Sequence, residues 1–500
     1  MPLKDKVINK ANPGPFGSTV TNFAAVRKAG SELDSAGEKD FTKSTPEKVT
    51  GSTMFCEGSI GKVRYAGLAY MLDEEGVMDL QTPAGEFFAS EGVGKFFEKK
   101  YPGQGETLQT EIGKLFSGDS AQATLADLTT HRSGVGDLTR DQARLTKAEG
   151  VEREFSVPDL LLIPEEHRGI PRDSFGKPRA QSSPQTPDED LPDAKYGAHQ
   201  YSNLGYVLLG LAMEASYDAK KNPTGEKEIK DYKQLTRDYM LHPAEGRAFR
   251  EGLEPFNQTK FPKDLEKTDD VARSSWLENG RLVDATQFSG ANAAGGILSS
   301  ADDSERFFAE FFKGFSGEAD VENKFFSKET IQKMKAEGDK FPVCGVNKDN
   351  GNQDFQLPGF VAEKTPEGEL ACYKKGGGTF GYASFLRFDA KTNHAVIDMC
   401  AQENLTGEVG KKWGVERGEV FVGQSQKEVC EQRAAPVLAK YRDPISGEFN
   451  RREMIDSELP VVATQIVAKE FVESGVSDAI SSVENNSKIP AADVGAKGRY

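Results

Sequence analysis

No stretch of the 500 residues approaches the run of about 18 apolar side chains that a membrane-spanning helix needs. The opening segment, MPLKDKVINKANPGPFG, lacks the apolar centre of a secretory signal, so a cytoplasmic protein is the expectation. Cysteine is scarce: five residues, at positions 56, 344, 372, 400 and 430, none in a Cys-x-x-Cys pair. Such spacing fits neither a disulfide framework nor a zinc site, and reduced, mostly buried thiols are expected. Positive charge is outweighed, with 63 Lys and Arg against 79 Asp and Glu for a net charge of −16. No basic cluster offsets that balance, which disfavours nucleic acid and anionic membranes and favours a small-molecule or peptide partner. His-Glu-x-x-His, Gly-x-Ser-x-Gly and Gly-x-x-x-x-Gly-Lys-Ser/Thr are all missing, and no segment repeats at a fixed period.

What is present is a chain long enough for two or three average domains or one large enzyme with insertions. Two short strands joined by a turn are expected from residue 18 into the charged segment that follows. Helical spacing begins at Ser59, where Ile60, Val63, Gly67 and Tyr70 recur at steps of three or four. That helix should end at Gly76, a residue suited to a left-handed cap. Short helices are expected within 82–103 and 124–138. Six prolines and little periodicity mark 164–195 as a long surface loop. YSNLGYVLLGLAMEAS, from Tyr201, restores an apolar helix. The segment from Asn292 reads as a glycine turn and a helix with Asp302 and Asp303 in its first turn. Residues 376–404 read as a β-hairpin around a polar turn, and 426–475 read as helical.

Three places could carry chemistry. Ser59 and Lys62 form a Ser-x-x-Lys tetrad; residues three apart share a helix face, so the amine can reach the hydroxyl. A serine is a poor nucleophile until a base takes its proton. A lysine serves as that base only when its surroundings bring it below its ordinary value of about 10.4. Taken alone, the tetrad equally describes a capping serine and a solvated lysine, and a second copy occurs at Ser174 and Lys177 in the proline-rich loop. Tyr201 and Asn203, two apart in an extended turn, can point to one side, or Tyr201 can pack while Asn203 caps the helix. Lys375-Gly376-Gly377-Gly378 is expected to open a strand whose glycines would let a substrate lie against the backbone. Its ordinary reading is a glycine-rich hairpin edge with an exposed lysine.

In this order the three resemble the serine β-lactamase and penicillin-binding-protein superfamily, in its class C lactamase, D-alanyl peptidase and esterase branch. That branch carries Ser-x-x-Lys, then Tyr-x-Asn, then Lys-Thr-Gly or His-x-Gly. The segments VTGSTMFCEGSIGK, TLADLTTHRSGVGDL, YSNLGYVLLGLAMEAS and AAGGILSSADD are similar to its other blocks, so the resemblance covers roughly residues 45–400. It implies Ser59 as acylated nucleophile, Lys62 as proton acceptor, and Tyr201 as the proton shuttle to the leaving group. It further implies substrate binding by Asn203, Lys375, Gly376 and Gly377, and an oxyanion hole from the backbone N–H groups of Ser59 and Gly378. No metal or organic cofactor is implied. Two departures stand out. Gly61 occupies a position that is commonly Thr or Ser, which would loosen the first helical turn, and the third motif lacks its hydroxyl. His131 would be a packed or capping histidine, and His199 a loop residue near Tyr201.

The implied fold is α+β, β-lactamase/transpeptidase-like. An antiparallel sheet flanked by helices would come from 1–74 and 290–475, with a mainly helical region, 75–289, inserted and a polar tail at 476–500. The implied activity is that of an acyl-serine hydrolase of a peptide, amide or ester. The other hypothesis is a binding or scaffolding protein whose chemistry is weakened at Gly61 and the third motif.

Overall fold

The computed structural model describes residues 25–28, 34–35, 49–136, 156–162, 196–224, 226–242, 253–272, 275–278, 281–284, 292–316, 322–340, 343–346, 351–379, 382–390 and 394–401. The loop at 164–195 with Ser174 and Lys177, the segment 426–475 and the tail at 476–500 lie outside the described residues.

Thirteen strands are described: β1 (Ala25–Lys28), β2 (Asp34–Ser35), β3 (Met54–Cys56), β4 (Thr259–Lys260), β5 (Ser275–Glu278), β6 (Arg281–Asp284) and β7 (Leu298–Ser300), followed by β8 (Gly345–Val346), β9 (Gln353–Gln356), β10 (Val361–Lys364), β11 (Leu370–Thr379), β12 (Tyr382–Asp389) and β13 (His394–Ala401). Eight of them form one antiparallel sheet in the order β2-β1-β13-β12-β11-β10-β9-β8. Its last strand returns to its first, with Met399 opposite Ala25. Burial alternates along β12, where Tyr382, Ser384, Leu386 and Phe388 face inward, and along β13 at Ala395, Ile397 and Met399. That period of two is the one the hairpin reading used. A three-stranded sheet, β3-β7-β4, and the β5–β6 hairpin complete the strands. β4, β5 and β6 fall inside 75–289, where mainly helix was expected; elements of two to four residues are too short to show a period.

The helices are α1 (Gly61–Glu74), α2 (Ala84–Ala89), α3 (Glu91–Lys100), α4 (Gly105–Leu115), α5 (Leu125–Thr129), α6 (Val157–Leu161), α7 (Asn203–Lys221), α8 (Tyr232–Thr236), α9 (Ala301–Phe311) and α10 (Lys328–Asp339). A 3₁₀ turn, Gly58–Ile60, precedes α1, and Gly76 follows it with φ +62°, the left-handed stop that its sequence predicts. The reading of Lys62 as a solvated lysine needs correcting. From Gly61 through Leu72 every residue is buried, Lys62 and Arg64 included, because α7, α8 and α10 pack around it. A helix enclosed in this way needs no polar face.

α9 lies against β13 and β1 and brings a phenylalanine cluster to the sheet. Phe312 stacks on Tyr373 of β11 at 5.3 Å between centroids and 8° between planes, and Phe311 meets Phe360 edge-on at 6.1 Å. Large rings in offset and edge contacts hold helix and sheet at a fixed separation. The turn that carries Ser59 therefore rests on a rigid base. Among the described residues no helix is long and apolar enough to cross a membrane.

Candidate active site

The turn that carries Ser59 is anchored from below. Glu57, fully buried, accepts from Arg64 Nε at 2.9 Å and Nη2 at 2.6 Å, and from Ser304 Oγ at 2.8 Å. The Arg64 guanidinium lies 3.8 Å over the Phe307 ring. A buried carboxylate is tolerated only when paired and hydrogen-bonded, so this bidentate pair ties the residue two before Ser59 to the first turns of α1.

Above it, three stretches of backbone meet without side chains. Gly58 has φ +53°, and a Cβ there would lie 2.6 Å from the Gly378 nitrogen. A Cβ on Gly295 would lie 2.7 Å from the Gly58 carbonyl, and one on Gly377 would lie 2.0 Å from the Glu57 carbonyl oxygen. Ser384 of β12 donates to that same oxygen at 2.6 Å. Gly377 is a glycine because β11 presses on the Ser59 turn, whereas Gly376 and Gly378 are exposed on the opposite face of the strand. Gly61 is also a packing position: its Cβ would stand 3.2 Å from Ile297 and 3.3 Å from the Tyr65 ring. Its φ of −51° and ψ of −27° are helical, so the turn is not loosened.

The polar centre joins residues from four distant parts of the chain. Lys62 Nζ lies 3.0 Å from Ser59 Oγ and 2.6 Å from Asn203 Oδ1, and it also donates to the Ala294 carbonyl. Ser59 Oγ lies 2.5 Å from the Tyr201 hydroxyl. Ser202 caps α7, its Oγ accepting from the Gly205 N–H at 2.9 Å, and this leaves Asn203 free to turn toward Lys62. Tyr201 is 38% exposed although its hydroxyl is engaged, so the phenol forms part of an open wall. Lys375, in the middle of β11 and not at its start, is buried, with its ammonium 5.3 Å over the Tyr201 ring. Burial holds it down to about 8 from the ordinary lysine value. β10 pairs with β11 only through Lys374, so from Lys375 to Thr379 the ladder partner among the described residues is β12.

His131 and His199 are closer to this centre than their sequence positions suggest. The His131 ring is 4.5 Å from that of Tyr201 and 5.9 Å from that of His199. Burial, then the charges of Lys375 and Lys62, hold the His131 imidazole well below the ordinary histidine range. His199 is lowered too, by burial and then Arg132. Among the described residues no group of three His, Cys, Asp or Glu is placed to hold a metal ion. The Cys56 thiol, buried beside Gly295, is pushed up to about 12 by desolvation, and Cys372 is also buried; Cys344 is half-buried.

Several participants have no signature of their own in the sequence. Glu57 and Arg64 look like surface charges, the Ala294 carbonyl is backbone, and Ser384 is one of many strand serines. Gly58 and Gly295 could be noticed only as glycines inside blocks already singled out.

Comparison with known proteins places the chain in a family. Among curated proteins none matches the chain. Solved structures similar to it include a D-stereospecific amidohydrolase from Streptomyces sp., at 18% identity over 76% of this chain and 88% of that one, with a TM-score of 0.47. An octameric penicillin-binding protein homologue from Pyrococcus abyssi is 20% identical over 83% and 77%, with a TM-score of 0.49. FmtA from Staphylococcus aureus is 16% identical over 81% and 88%, with a TM-score of 0.44. The Beta-lactamase family profile matches residues 23–417. A match that begins ahead of β1 and runs beyond β13 takes in the whole main sheet and every residue of the polar centre, and the chain belongs to the Beta-lactamase family.

Proposed function

We propose that the protein is a serine hydrolase that cleaves a peptide, amide or ester through an acyl-enzyme on Ser59. One observation carries the reading: the Ser59 hydroxyl sits between an amine, at 3.0 Å, and a phenol, at 2.5 Å. A nucleophile within hydrogen-bond reach of two proton carriers is what acylation followed by deacylation requires.

The partner count supports Lys62 as the base. As an ammonium it donates to Ser59 Oγ, Asn203 Oδ1 and the Ala294 carbonyl. As an amine it keeps two N–H donors for Asn203 and Ala294 and turns its lone pair to the Ser59 O–H, so both states satisfy the same three neighbours. Ser59 Oγ then attacks the substrate carbonyl while Lys62 takes its proton. The negative oxygen that develops would be received by the N–H groups of Ser59 and Gly378, a device worth about 10²–10³ in rate per donor. Tyr201 passes a proton to the departing amine or alcohol and is recharged from Lys62. Water, activated through the same pair, adds to the acyl group, and the carboxylic product leaves as Ser59 regains its proton.

Lys375 makes the reading sensitive to substrate charge. It is a cation below about 8 and neutral above it. For an ester bearing a carboxylate near the scissile bond, kcat/KM should fall by about tenfold relative to a neutral ester as pH rises from 7 to 9, the worth of one charge-assisted contact. Lys375→Gln should flatten the ratio at its high-pH level. A ratio unchanged with pH in the wild type would remove Lys375 from substrate binding.

The reading itself is tested with a fluorophosphonate probe, intact mass and peptide mapping. The expected result is one adduct, with loss of fluoride, on the peptide containing Ser59. No adduct under conditions that label a control hydrolase would favour a binding protein instead.

A further inference from the structure

Tyr201 is the exposed member of the centre, and its hydroxyl lies 2.5 Å from Ser59 Oγ. The residues on either side of it are both tied to one histidine. The Gln200 N–H donates to the His131 carbonyl at 2.8 Å, and the Ser202 N–H donates to His131 Nδ1 at 3.2 Å. The His131 ring also lies 4.5 Å from the Tyr201 ring, tilted by 38°. To make these contacts His131 takes a left-handed backbone, φ +59°, and among the described residues no other non-glycine residue does so. Backbone in that region persists only where its surroundings over-determine it.

We propose that His131 is a positioning residue for Tyr201, bracketing it through its carbonyl and Nδ1 so that phenol and carboxamide meet Ser59 and Lys62. The inference rests on the acyl-serine reading for its effect on rate, though not for its geometry. Its protonation state follows from the same contacts. Nδ1 faces a backbone donor, so it accepts only while the imidazole is neutral, with the proton on Nε2. Burial and the nearby charges of Lys375, Lys62 and His199 keep it in that form, and an imidazolium would point an N–H at the Ser202 N–H.

The test compares His131→Gly with His131→Asn. Both residues accept a left-handed backbone, so the φ requirement is held constant. Asparagine offers Oδ1 to the Ser202 N–H, whereas glycine offers nothing. With the fluorophosphonate probe, His131→Gly should lower the limiting rate of Ser59 phosphonylation by about 10–100-fold, as displacement of a reacting group by about 1 Å does. The concentration giving half that rate should change by less than about threefold, since uniform binding is not what is lost. His131→Asn should recover most of the rate. Hydrogen–deuterium exchange at 199–203 should accelerate in the glycine variant and return toward wild type in the asparagine variant.

Three results would overturn the proposal. One is a glycine variant that acylates within about twofold of wild type. Another is an asparagine variant no better than glycine in both measurements. The third is loss of a cooperative melt on glycine substitution, which would make His131 a core residue. If the wild type takes no label at all, the acyl-serine reading fails, and the exchange comparison alone still decides whether His131 holds the segment.

Discussion

Methionine at Lys62 is expected to slow acylation of Ser59 by about 10²–10⁴-fold, the usual worth of a positioned proton acceptor, while the protein still melts cooperatively. Alanine at Ser59 should remove the adduct altogether. Lys62 is fully buried in α1, and its stem packs where a methionine side chain of similar length can follow. What methionine cannot do is take the Ser59 proton across 3.0 Å or donate to Asn203 at 2.6 Å. The loss should therefore appear in the acylation rate, measured by stopped-time labelling and intact mass, and circular dichroism should remain that of the wild type. A Lys62→Met protein that acylates within about fivefold of wild type would mean that another group takes the proton, and Tyr201 would be the next to test.

The second large effect is expected from one methyl group. Gly377→Ala should destabilise the fold by about 2–3 kcal/mol, the upper part of the range for overpacking, and should slow acylation by about 100-fold. The new Cβ would stand 2.0 Å from the Glu57 carbonyl oxygen and 2.3 Å from Ser384 Oγ. The first of these is backbone, so relief requires β11 to retreat from the Ser59 turn. Gly378, one residue on, would move with it and displace the N–H proposed to share the oxyanion hole with that of Ser59. Gly376→Ala is the paired comparison: its nearest neighbour is Phe385 at 3.9 Å, and a change within about 0.5 kcal/mol is expected. Urea midpoints at unchanged slope give both values. Equal costs at 376 and 377 would show that β11 does not press on the turn as described.

The contrast between these two glycines also shows where sequence reasoning stops. Lys375-Gly376-Gly377 was legible as a glycine-rich strand, and its residues could be assigned to substrate binding only as a group. Which glycine is pressed against backbone and which is open depends on the strand's face, and a strand alternates faces at every residue. In the same way, Gly61 read as a departure that would loosen a turn, yet it is helical, and a Cβ there would press within 3.2 Å of Ile297 and 3.3 Å of Tyr65. His131 read as a packed or capping residue; nothing local shows that its two hydrogen bonds enclose Tyr201.

By itself the sequence determined the order of the three motifs, the stop of the first helix at Gly76, the period-two strands near the end of the described chain, and the candidate residues Ser59, Lys62, Tyr201, Asn203 and Lys375. These are local properties, set by spacing along a helix or strand and by the chemistry of each side chain. Only the tertiary structure decided how they meet. Lys62 reaches Asn203 across 141 positions and Ala294 across 232, and Ser384 reaches the Glu57 carbonyl across 327. Contacts over such separations leave no trace in a pattern with a period of two or 3.6 residues. They exist because packing the phenylalanine face of α9 on the sheet, and three helices around α1, leaves the Ser59 turn one place to sit.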